Sequence, residues 1–177
     1  MKKLWSNKLF RYGVIGILLI ALGGAGFLGY YRLARAQGVI TSYEINEDLS
    51  EKSNAHRAVI YTQDRAFKNE VIDELASNLA DENIYIKVEP VEEIGENRIE
   101  EWDKVIILST VQSSDPPKVA LDYINKHKDE EKLSIYLTAD SSVWSKDPGH
   151  LDVTTAASKS ENVTVFSKKI REFLVNE

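Results

Sequence analysis

From Tyr12 to Tyr31 the chain runs for twenty residues without a charged side chain. At about 1.5 Å per residue such a helix spans roughly the 30 Å hydrocarbon core of a bilayer. A run this long, apolar on every side and without helical patterning, is a poor core helix for a soluble domain and a good membrane span. Tyr12 at one end and Tyr30 and Tyr31 at the other stand where amphipathic rings favour the headgroup boundary. The sequence therefore divides into a basic segment at 1–11, a transmembrane helix at 12–31, a polar stalk at 32–56 and a single folded domain at 57–177. Lys2, Lys3, Lys8 and Arg11 precede the span and Arg32 and Arg35 follow it, so the excess of positive charge places the N-terminus in the cytoplasm and the domain outside. Ala34-Arg35-Ala36 also fits the small-x-small pattern of a signal cleavage site. The length of the apolar run and the two arginines between it and that site favour a retained, single-pass anchor contacting membrane lipid.

Charge separates the two parts. The first 36 residues hold six basic and no acidic residues, leaving 16 basic against 28 acidic in the remainder, a net charge of −12. A field of that sign repels nucleic acid and favours basic partners. The absence of cysteine excludes disulfides, thiolate catalysis and cysteine-held metal centres. His56, His127 and His150 lie in separate segments without ligand spacing, and no Walker loop, nucleophile elbow or Gly-x-Gly-x-x-Gly occurs.

Past the stalk, short apolar runs alternate with helical patterns, the mark of parallel βαβ units. Strands are expected at 58–62, at 84–88 on a sheet edge, at 104–109 in the sheet centre, at 132–138 and, as a short fifth, at 151–154. Phe67, Val71, Leu75 and Leu79 recur every four residues and predict the first helix. A second is expected from Pro116, capped by Asp115, to about Lys128. Val163, Phe166, Ile170, Phe173 and Leu174 place a third, from about Asn162, on one apolar face.

Three segments carry a family likeness: Ala58 to Gln63 with the adjoining helix; Trp102 to Thr110 running into Pro117, Lys118, Tyr123 and Ile124; and Trp144 followed by Leu151 to Lys159. In their order and spacing they resemble the flavodoxin-like domains, including those of the menaquinone-dependent protoporphyrinogen oxidase type. The resemblance implies an α/β three-layer fold with a five-stranded parallel sheet in order 2-1-3-4-5. It also implies FMN beyond the C-terminal strand ends, and electron transfer with a basic or membrane-bound redox partner.

Carried onto this chain, the phosphate loop is Thr62, Gln63, Asp64, Arg65, Ala66, Phe67 and Lys68. Thr62 keeps the hydroxyl. Ala66 stands where the family has glycine and Lys68 where it has threonine, so Lys68 and Arg65 would have to supply by charge what backbone amides supply elsewhere. The loop after the third strand, with Thr110, Val111, Gln112 and Ser113, would line the flavin ring, Ser113 replacing the usual aromatic. Trp144 would either stack on the ring or anchor its loop against the sheet; Thr138 ends the fourth strand nearby. Thr154, Thr155 and Ser158 would bond the ring or cap the last helix. An enzymatic reading would be a flavin-dependent oxidoreductase. A module that has lost its cofactor and acts by binding outside the cytoplasm is the alternative that Ala66, Lys68 and Ser113 favour. A phosphoacceptor receiver domain is excluded, because the third strand ends in Leu108, Ser109 and Thr110 rather than an aspartate.

Overall fold

The computed structural model describes residues 8–34, 38–96, 98–112, 114–139, 143–144 and 153–176. It separates into an N-terminal helix and one compact unit, Gly38–Glu177. The helix, α1, spans Lys8–Ala34. Its stretch from Tyr12 to Tyr30 has a mean hydropathy of 2.0 and no buried share, so by length and composition it is able to cross a membrane.

The compact unit is built on a six-stranded sheet: β1 (Tyr43–Ile45), β2 (His56–Thr62), β3 (Ile84–Pro90), β4 (Lys104–Thr110), β5 (Leu133–Thr138) and β6 (Val153–Ala156). Helices α2 (Ala66–Asn78), α3 (Lys118–His127) and α4 (Val163–Val175) lie between and after the strands. The sheet order is β1-β3-β2-β4-β5-β6, and every pairing from β3 to β6 is parallel. Those five parallel strands run in the expected order 2-1-3-4-5 of the flavodoxin-like doubly wound sheet.

Cover on both faces explains why the central strands are almost continuously apolar. Val59 and Ile60 of β2 and Val105, Ile106, Ile107 and Leu108 of β4 are all fully buried. On one face Ile60, Ile86, Ile106 and Leu108 meet Val71, Leu75, Phe166 and Ile170 of α2 and α4. Phe67 and Phe166 meet there edge to face, with centroids 5.5 Å apart. On the other face Val59, Val105 and Ile107 meet Ala120, Tyr123 and Ile124 of α3, beside Ile99 and Trp102 from the connection between β3 and β4. Burying each large aliphatic side chain in these layers contributes about 1.5–3 kcal/mol.

Four expectations change. The polar stalk is not a spacer throughout: from Gly38 it belongs to the compact unit, and Tyr43–Ile45 pairs antiparallel with β3. The sheet thus has a sixth strand, and β3 is not its edge. A three-residue strand has too few positions to show a period, which is why the pattern did not reveal it. Asp115 does not cap a helix; α3 begins at Lys118 after Pro117, and Asp115 turns back onto Gln112. The short fifth parallel strand is present but lies at Val153–Ala156, with 151–152 and most of the preceding crossover outside the described residues.

Candidate functional site

Ile60, Leu108 and Tyr136 belong to the core beneath α2 and α4. Side chains two residues further along a strand return to the same face, so Thr62, Thr110 and Thr138 lie on that face at the C-terminal ends of three neighbouring strands. This is the edge at which a doubly wound sheet takes its ligands. The turn from β2 into α2 brings Lys68 onto it.

Lys68 is 1 % exposed. Its Nζ donates to Thr110 Oγ1 at 2.6 Å, Thr110 Oγ1 lies 3.0 Å from Thr138 Oγ1, and Thr138 donates to the Ser109 carbonyl at 3.4 Å. Lysine, the two threonines and the carbonyl form one connected hydrogen-bonded group. Burial, with a smaller contribution from the charge of Arg65, lowers the Lys68 ammonium to a pKa of about 7. Gln63, 2 % exposed, ties the strand ends together: its Oε1 accepts from Ser109 Oγ at 3.2 Å and from the Thr110 amide at 3.1 Å. Thr62 is fully buried, and its hydroxyl has no hydrogen-bond partner among the described residues.

The loop after β4 closes on itself. The Val111 amide donates to the Thr138 carbonyl at 2.9 Å, and Gln112 and Asp115 exchange backbone bonds of 2.7 and 3.2 Å. Ser114, inside that turn, sits at φ 89, a conformation unusual for a residue with a Cβ. Val111 is half-buried and Gln112 exposed; Ser113 lies outside the described residues. Trp144 packs into the core on the α3 face, 3 % exposed, its Nε1 directed at Asp115 Oδ1 at 3.5 Å. Of the residues singled out from sequence, the structure joins Gln63, Lys68, Thr110 and Thr138 in one hydrogen-bonded group and sets Trp144 in the layer on the opposite side of the sheet.

Sequence reasoning missed Gly38. Its backbone pairs with that of Asp64 in an antiparallel bridge, with N–H to O distances of 2.8 and 3.2 Å. Asp64 Oδ1 also accepts from Asn69 Nδ2 at 2.9 Å. A Cβ at position 38 would lie 2.9 Å from Asp64 Cβ, closer than packed carbons approach. A glycine three residues after Arg35 was the available signal, but its partner 26 residues on could not be read from the chain alone.

Binding FMN at this edge requires a turn whose amides face a phosphate and a flat aromatic or apolar surface for the ring. Here Lys68 is folded inward onto Thr110, the amide of Asp64 is taken by Gly38, and the Trp144 indole is enclosed in the core. As arranged, the described residues do not fit FMN. No protein-family model and no curated protein matches the chain. Among solved structures, it is similar to a short-chain flavodoxin associated with a non-canonical PDU bacterial microcompartment, at 12 % identity and a TM-score of 0.49, over 68 % of this chain and 97 % of that one.

Proposed function

We propose that this chain is a membrane-anchored, flavodoxin-like domain that works without a flavin, as a binding or structural module. The inward-folded Lys68 carries the reading: a buried ammonium bonded to Thr110 stands at the ligand edge of the sheet, and there is little reason for a cofactor-dependent protein to fill that edge with its own side chain. The acidic composition supports a basic protein partner, and the order of charges around α1 supports a domain outside the cytoplasm with α1 kept as a single-pass anchor.

The rival reading is FMN-dependent electron transfer with a membrane-bound redox partner, and the Thr62 hydroxyl, without a hydrogen-bond partner among the described residues, is the observation in its favour. It requires Lys68 to swing out and the Gly38–Asp64 pairing to open. The visible absorption spectrum of the full chain, purified in detergent and then supplied with FMN or riboflavin at micromolar concentration, separates the two. A colourless protein that takes up neither flavin is the expected result. Co-purifying flavin, or saturable FMN binding abolished by Lys68→Glu, overturns the cofactor-free reading.

A further inference from the structure

The first described residue of the compact unit is bonded to the turn that opens the ligand edge. Gly38 pairs with Asp64 through two backbone hydrogen bonds. Ile40, two residues on, packs against the core beneath α2, and Tyr43–Ile45 then joins the sheet beside β3. Asn46 secures the far end: its Nδ2 donates to the carbonyls of Leu79 at 3.1 Å and Ile84 at 2.9 Å. Among the described residues, the segment is held firmly at its downstream end by core packing and sheet pairing, and at its upstream end by a single bridge to the turn. In sequence, that bridge stands four residues after the end of α1 at Ala34.

We infer that the 38–40 segment is a latch on the β2–α2 turn. While Gly38 is paired, the Asp64 backbone is fixed and the Lys68–Thr110–Thr138 group stays sealed; displacing the segment frees the turn and exposes that group. A local opening of this kind needs only the weakest contacts of the domain to yield, while the central strands stay closed. The inference stands on the turn itself and holds whether the edge takes a flavin, another ligand or none.

The steric fit of Gly38 supplies the test. In the full chain in detergent, Gly38→Ala places a Cβ against Asp64 Cβ at 2.9 Å and against the Asp64 carboxylate and carbonyl oxygens at 3.1 Å. Hydrogen exchange at the Asp64 amide should rise about tenfold, as expected for losing one or two backbone bonds in a local opening. Acetylation of Lys68 should rise in parallel, measured against the exposed Lys118. Adding Asp64→Gly removes two of the three clashing atoms, and the double variant should return both readouts toward the wild-type values. An unchanged Asp64 amide, an unreactive Lys68 after opening, or no recovery in the double variant each overturns the latch. So does acceleration spread evenly over β4 and α4, which would mark general destabilisation.

Discussion

Lys68 has the most consequential environment of any single residue. Its folded-state pKa of about 7 lies below the ordinary 10.5, so between those values the unfolded chain binds more protons than the native one. Stability therefore increases as pH rises through that window. One proton contributes about 1.4 kcal/mol for each pH unit of the window, which makes the whole effect on the order of a few kcal/mol. Urea unfolding at pH 7 and at pH 9 should show wild type gaining stability relative to Lys68→Met, which has no charge to lose; parallel pH slopes for the two would mean the ammonium is not desolvated. The sequence offered Lys68 as a side chain at a helix start, where solvent is the usual surrounding. Its inward course depends on Thr110, 42 residues away, and on Thr138 beyond it, which no local pattern contains. Trp144 carries the same lesson: sequence allowed both a stacking ring and a loop anchor, and in the structure the indole packs into the core on the α3 face. Truncating it to alanine should cost about 3–5 kcal/mol of stability, as for a large aromatic lost from a core, and calorimetry of Trp144→Ala measures that directly.

Among the elements, β4 was the most legible, because a run apolar on both faces has few places to go except the centre of a parallel sheet. Ile106 is fully buried there, between Ile60 and Ser134 in register. Ile106→Asp should abolish folding, since an unpaired carboxylate in that layer costs several kcal/mol; a soluble variant that melts cooperatively would show the strand to be misassigned. β1 was the least legible element. Its short span borrows definition from the residue after it: Asn46 adopts the left-handed conformation at φ 56, where asparagine and glycine are tolerated best, and its amide holds two carbonyls. Asn46→Gly should lose the hydrogen bonds alone, about 1–2 kcal/mol. Asn46→Ala should lose slightly more by adding backbone strain. The order of those two variants in denaturant midpoint checks the assignment, and equal midpoints would indicate that the strain is negligible. The helix boundaries followed from periodicity to within a few residues, whereas the Asp115 cap did not, because Asp115 is engaged by Gln112 and Trp144 instead.

At the scale of the whole molecule, the division into a basic, apolar beginning and an acidic folded remainder was plain from charge and hydropathy. A reporter fused after Glu177 should report an extracytoplasmic position, with the protein in the membrane fraction; cytoplasmic reporter activity reverses the orientation, and a released fragment beginning at Gln37 identifies α1 as a cleaved signal. The sixth strand bears on how such molecules share a surface. Under the anchored reading proposed above, copies in one bilayer would be concentrated in two dimensions, a condition that favours pairing between open sheet borders. Without β1, the seven-residue β3 would present its unpaired N–H and C=O groups along that border as a template for a neighbouring copy. A three-residue antiparallel strand with the exposed Glu44 at its middle leaves too short and too charged a ladder to extend, so the segment before β2 also shields this border from pairing with another chain.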